Sequence, residues 1–173
     1  MDGHGGAPGR DGGTVLPEYE RLRRFLLERE VDAEIIRPGR DTSSVQSAAA
    51  ALNVLPGQIV KSLLFLGKAG DTVLVIARGT ARIDQRKLVA ATGIRKPKLA
   101  PPEMIQRVTG FPPGGVPPVG HATPVKVVMD RAVLDEPVVY GGGGGTDSMI
   151  RISPADIQSL TGALVADLSL EDE

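Results

Sequence analysis

One lysine interrupts the apolar run Ile59-Val60-Lys61-Ser62-Leu63-Leu64-Phe65-Leu66, and a glycine- and proline-rich loop ending in histidine, Gly114-Gly115-Val116-Pro117-Pro118-Val119-Gly120-His121, follows later in the chain. A strand of the first composition is normally buried, and desolvation disfavours an ammonium there. Lys61 therefore either snorkels to water from a strand end or is kept as a cation for something anionic. In the second segment, glycines let the backbone turn so that bare N–H or C=O groups point into a pocket, and prolines hold that shape at low entropic cost. Such a loop can bind a small substrate by its main chain and stabilise an oxyanion, or it can simply turn a corner.

Other chemistries find less support. With no cysteine, disulfides and thiolate metal sites are excluded. His4 and His121 are the two histidines, and one of them lies in a glycine-rich start, so no metal site is expected. No Gly-x-Ser-x-Gly elbow occurs, and His121 has no evident partner serine. The five glycines Gly141 to Gly145 invite a phosphate loop, but that needs a helix to follow, and Met149 to Ile152 reads as a strand. A flexible hairpin connection is the expectation there.

The elements that must position these residues are legible from period and punctuation. Pro17 opens a helix running to about Glu30 on Leu22, Phe25 and Leu26, and Ala33 to Ile36 reads as a short strand. Ser43 with Gln46 fits a capping box for an alanine-rich helix, Ser44 to Leu52. The lysine strand and Thr72 to Ala77, joined by the Gly67 to Asp71 turn, form a hairpin. Asp84 caps a helix stopped by Gly93, and a second helix from Pro102 stops at Gly110. Strands follow at Val125 to Asp130, Val138 to Tyr140 and Met149 to Ile152, then a helix from Ala155 to Leu160 behind Ser153 and Pro154. The expected fold class is α+β: a single domain with a mixed, barrel-like sheet and flanking helices.

The 173 residues, 41% hydrophobic and 24% charged, describe a soluble globular chain with no run long enough to span a membrane. Residues 1–14 read as a disordered glycine-rich tail, with six glycines before Thr14 and no secretory signal, and residues 15–170 as the domain. Net charge is −1, which argues against indiscriminate coating of nucleic acid. Between Arg78 and Lys98, however, seven basic residues (Arg78, Arg82, Arg86, Lys87, Arg95, Lys96, Lys98) face one acid, Asp84. That stretch is either a solvated helix face or a surface for a phosphate backbone. Acidic residues collect instead at the C-terminus: Asp167, Glu171, Asp172 and Glu173.

Taken together, several segments resemble the YbaK/prolyl-tRNA-synthetase editing-domain family. They are the alanine-rich helix before Gln58-Ile59-Val60-Lys61-Ser62-Leu63-Leu64-Phe65, then Asp84-Gln85-Arg86-Lys87-Leu88, Thr109-Gly110-Phe111 and the Gly114-x-x-x-Pro118-x-Gly120-His121 loop. The resemblance spans roughly Pro17 to Leu164, in the family's order. It implies hydrolysis of wrongly charged aminoacyl-tRNA without a cofactor, in the cytoplasm, with a synthetase as a further partner. With no room for a synthetase core, the chain resembles the free-standing kind.

By that resemblance Lys61 holds the terminal adenosine and its neighbouring phosphate or hydroxyl, and Gly114, Gly115, Val116, Pro117, Pro118 and Gly120 fix the aminoacyl group. His121 orients water or binds the substrate amine, with Val116 and Val119 as candidate pocket walls. Arg78, Arg82, Arg86 and Lys87 are the candidate tRNA contacts. A second hydrolytic site is useful because a synthetase pocket separates amino acids one methylene apart by only about 1–3 kcal/mol. A ribose hydroxyl beside the ester would activate water, with no metal needed. Two rivals stand beside this reading: a non-catalytic module that holds the tRNA end or an aminoacyl-adenosine-like ligand, and a small-molecule esterase indifferent to the basic stretch.

Overall fold

The structure, a computed structural model, describes residues 18–171. The expected tail and Pro17 lie outside these described residues. The chain runs α1 (Glu18–Glu28), β1 (Glu34–Ile36), α2 (Val45–Leu52), β2 (Val60–Leu66), β3 (Thr72–Arg78), α3 (Gln85–Thr92), β4 (Lys98–Leu99), α4 (Pro102–Thr109), β5 (Lys126–Asp130), β6 (Val139–Gly142), β7 (Met149–Ile152), α5 (Pro154–Thr161) and β8 (Leu164–Ala166). Short 3-10 turns cover Pro56–Gln58 and Arg131–Asp135.

Among the described residues, eight strands form two sheets, one of order β1-β7-β6 and one of order β4-β2-β3-β5-β8. The larger is mixed: β2 pairs antiparallel with β3, while β3–β5 and β5–β8 are parallel. The α+β domain with flanking helices is as expected, but the strands do not close into a barrel. Between the sheets, among the described residues, lies one parallel bridge, Ile59 to Tyr140. Beyond it β6 and β2 form no further bridge among the described residues, and the glycine end of β6 packs on the Gly115–Val116 segment instead, leaving a gap in the pairing. That gap is where the site forms.

The centre of the larger sheet is what its sequence dictates. Leu74, Val75, Ile76 and Ala77 of β3 have no solvent exposure, because helices and loops cover both faces. One core, with Leu22 and Leu26 of α1, Leu64, Leu74, Ile76, Met129 and Ile150, lies between the sheets. A second, with Phe65, Val73, Val75, Leu88 and Leu168, lies under α3. Truncating a residue such as Leu74 to alanine would cost about 2–5 kcal/mol.

Caps place the helix ends. Gly93, Gly110 and Gly162 end α3, α4 and α5 in the left-handed conformation. The capping box of α2 is shifted by one residue from the expected Ser43–Gln46 pair. Ser44 and Ser47 exchange the bonds, each side chain accepting from the other's N–H at 3.0 Å. The Ser43 N–H is already given to Asp41 Oδ1 at 3.0 Å, so the helix starts one residue later.

Candidate active site

β2 and β3 pair in register from Val60–Arg78 to Leu66–Thr72, so Lys61 lies opposite Ala77. Its stem is half-buried, and its Nζ donates to the Ala81 carbonyl at 2.6 Å and lies 3.5 Å from that of Gly79. Among the described residues no carboxylate pairs with it. Desolvation pushes its pKa below the ordinary lysine value. The turn after β3 thus satisfies part of the ammonium while leaving its charge uncompensated.

A cavity of about 210 Å³ opens beside this lysine. The start of α2 (Thr42 to Val45, with Ala48) and β2 from Ile59 to Leu63 line it, together with Gly114, Val116, Gly142 and Met149. Lysine strand and glycine loop, more than fifty residues apart in sequence, therefore meet. The lining holds no Asp, Glu, His or Cys.

Gly114 needs its glycine for conformation, with φ of +84° and open space where a side chain would begin. The next residues need the glycines of another segment. Gly144 donates its N–H to the Gly115 carbonyl at 2.9 Å, and a Cβ on Gly142 would stand 2.6 Å from the Val116 carbonyl oxygen. Only Gly143 to Gly145 belong to the β6–β7 connection; Gly141 and Gly142 are paired within β6, and Gly142 and Gly144 meet Gly115 and Val116 backbone to backbone. Reading the run as a flexible connector misses this, and Gly142 with it. Consecutive glycines beside a strand were the available signal, because they mark a close backbone approach.

The rest of the loop shapes the cavity from behind. Pro117, Pro118 and Val119 are buried, so Val119 belongs to the core and not to the cavity wall, whereas Val116 lines it. Gly120, at φ +80°, passes under Leu22 and Phe25 of α1. His121 is not among the lining residues. Its Nε2 lies 2.7 Å from the Pro117 carbonyl, and since a carbonyl only accepts, Nε2 carries the proton and donates. Burial lowers its pKa, partly opposed by that hydrogen bond, so the ring is neutral near pH 7.

The four basic residues singled out for tRNA divide into two pairs. Arg78 is engaged by Glu136 at 3.4 Å, Asp135 at 3.8 Å and the Ala132 carbonyl at 3.2 Å. Lys87 is engaged by Asp167 at 2.9 Å and the Ser169 carbonyl at 2.8 Å. Arg82 and Arg86 are exposed and form no ion pair among the described residues, and Arg82 shares a shallow cleft with Lys61. The stretch from Asp167 to Leu170, remote in sequence, runs beside the basic one. The Leu168 carbonyl accepts from the Asp84 N–H and the Arg82 carbonyl from the Leu170 N–H, both at 2.8 Å. A larger cleft, about 750 Å³ between α1 and β1, contains neither Lys61 nor any residue of the glycine loop or the basic stretch.

Residues 40–160 match the model of the aminoacyl-tRNA editing domain. The chain belongs to that family. Among relatives of this editing domain, protein YwhH of Bacillus subtilis is 30% identical over 120 residues, covering 69% of this chain and 76% of the relative. An Enterococcus faecalis protein, EbsC, whose name proposes a Cys-tRNA(Pro)/Cys-tRNA(Cys) deacylase, is 24% identical over 132 residues, with 76% and 80% covered. A solved structure described as a proposed trans-editing enzyme for prolyl tRNA synthetase superposes with a TM-score of 0.83 at 35% identity, over 91% of this chain and 100% of the other. Among the described residues, no helix is long and apolar enough to cross a membrane.

Proposed function

We propose that this editing domain is a free-standing deacylase that hydrolyses the ester of wrongly charged aminoacyl-tRNA in the cytoplasm. The observation that carries the proposal is the cavity joining an uncompensated lysine to glycine main chain, with no carboxylate in its lining. Lys61 supplies charge to a phosphate or hydroxyl of the terminal adenosine. Gly114 and Val116 border the aminoacyl group, and Gly115, Pro117, Pro118, Gly120 and the Nε2 bond of His121 hold that border in shape. His121 acts as a brace for the loop.

The lining offers no side-chain general base, so activation of water falls to the substrate. The hydroxyl beside the ester on the ribose relays a proton: it takes one from water as the water oxygen adds to the ester carbonyl carbon, and gives its own to the ester's ribose oxygen. The bond from that carbon to the ribose oxygen then breaks, leaving the free amino acid and a terminal diol. An activated ester needs neither covalent nucleophile nor metal for this. The same lack of a general base also fits a module that binds the tRNA end without cleaving it.

A deacylation screen of the purified protein against correctly and wrongly charged tRNAs separates the two. The expected result is selective cleavage of one or a few wrongly charged species, unchanged by exhaustive chelation. Tight binding with no ester cleaved would leave the binding module, and activity restored by added zinc would refute the substrate-assisted route.

A further inference from the structure

Resting on the proposal that the cavity receives the acylated end of a tRNA, we infer that the main-chain N–H and C=O of Ser62 read the adenine base of the terminal nucleotide. Hydrogen-bond direction alternates along β2. The Ile59 carbonyl accepts from Gly79, on the β3 side, whereas the Leu64 carbonyl accepts from Ala100, on the β4 side. Odd-numbered residues of the strand thus face β3, and Val60, Ser62, Leu64 and Leu66 face the opposite edge.

Along that edge Leu66 and Leu64 are covered by Lys98 and Ala100. Continuing the Phe65–Leu99 register would set Ser62 against Pro102, which has no N–H and opens α4. At the other end, Ile59 bridges to Tyr140 of β6, leaving Ser62 between two closures. It lines the cavity next to Lys61, and none of the turn, loop or side-chain hydrogen bonds among the described residues involves it. By that alternation a donor and an acceptor of one extended residue lie together on the edge that borders the cavity, with no bridge to β4 or β6 at this residue, as on an unpaired strand edge.

The occupant must present an acceptor beside a donor. A protonated α-amine with its carbonyl has that pattern, but it would lie beside the Lys61 ammonium with no acid in the lining to offset two like charges. The adenine edge has the same pattern and is neutral, N1 accepting from the Ser62 N–H and the 6-amino group donating to its carbonyl. Val45, Ala48, Ile59, Val116 and Met149 give such a flat base apolar surroundings.

The test uses uncharged RNA hairpins with a single-stranded CCA end and the same hairpins ending in inosine, which places a donor and an acceptor where adenine has an acceptor and a donor. In the free protein the Ser62 amide should exchange rapidly by NMR. The adenosine hairpin should protect it and bind at least about tenfold tighter than the inosine hairpin. Ser62→Ala should retain that ratio. Ser62→Pro, which removes the N–H without touching the β3 ladder, should bring it towards one.

An amide already protected in the free protein, equal affinity for the two hairpins, or discrimination surviving in folded Ser62→Pro would each overturn the inference. If Ser62→Pro fails to fold, amide exchange in the unmodified protein decides alone. Protection that appears only with acylated hairpins would assign the edge to the aminoacyl group instead. No hydrolysis is needed for these readouts. Cleavage with equal hairpin affinities would thus refute the base contact and keep the deacylase, while discrimination without cleavage would do the reverse.

Discussion

Gly142→Ala separates a cavity built by close backbone approach from one that merely sits between loops. The new Cβ would meet the Val116 carbonyl oxygen at 2.6 Å and the Gly115 carbonyl carbon and oxygen at 3.0 Å each, all main-chain atoms with no rotamer to yield. Ordinary contact begins near 3.4 Å, so the two segments must part by roughly 0.8 Å, an overpacking strain worth about 1–3 kcal/mol. For a domain of this size the melting midpoint should fall by roughly 3–10 °C. The displacement acts directly on the edge formed by Gly114 and Val116, where a shift near 1 Å is enough to lower the rate by roughly a hundredfold.

The assay is single-turnover deacylation of the best tRNA from the screen, run well below the melting midpoint, with Gly114→Ala alongside. Gly114 has open space around it, so its alanine variant carries only the left-handed backbone cost of about 1–2 kcal/mol and no steric clash. The expected order is a large loss for Gly142→Ala and a smaller one for Gly114→Ala. Folded Gly142→Ala with parental kcat/KM would refute the idea that this backbone contact sets the cavity.

Lys61→Met keeps the stem and removes the charge. Its stability should stay within about 1 kcal/mol of the parent, because relief of desolvation offsets the lost carbonyl bond, while kcat/KM falls roughly tenfold to a hundredfold. Parental activity in the folded variant would remove Lys61 from the mechanism. Arg82→Ala/Arg86→Ala should weaken all tRNAs alike and flatten the logarithmic salt slope by about one unit per lost phosphate contact, with a minimal aminoacyl-adenosine ester unaffected; an unchanged slope returns both residues to the solvated face. Arg78→Ala should instead lower the melting midpoint, since its guanidinium ties β3 to the Arg131–Asp135 turn and Glu136.

His121 gives a pH signature. Its pKa is depressed by burial from an ordinary value of 6.5, so below that value the unfolded chain binds more protons and stability falls as pH falls. His121→Gln, which can still donate to Pro117, should lose less stability between pH 7.5 and pH 5.5 than the parent, and equal losses in melting curves would show that the ring is not the group responsible.

Most elements were legible because their signals are local. The αL glycines at 93 and 110, the Ser153 cap and the apolar run Val73 to Ala77 of β3 each carry their own physics. β4 and β8 were not legible, being two and three residues long with no measurable period and existing only where β2 and β5 offer an edge. The site divides in the same way. Lys61 stood out because a charge in an apolar run conflicts with its surroundings, and Gly114 because glycine beside proline marks a special backbone. Gly142 was marked only by a glycine run that also reads as a connector, Ser62 offers main chain with no residue-type signal, and the pairing of Lys87 with Asp167 needs the fold to bring the C-terminus across.

How Lys61 is held bears on why such a site works at all. A carboxylate partner would raise its pKa and fix the side chain, but it would also compete with any phosphate for the same ammonium. Carbonyls from the turn after β3 occupy N–H groups without cancelling the charge, and an ammonium has three to give. The cost is the desolvation that lowers its pKa, and an anionic ligand arriving beside it would reverse that shift. On the proposed function, Lys61 should therefore stay charged to a higher pH with a tRNA end bound than in the free protein. The difference, read as proton uptake on binding an uncharged hairpin above pH 8, should vanish in Lys61→Met. Uptake that persists in that variant would place the phosphate elsewhere.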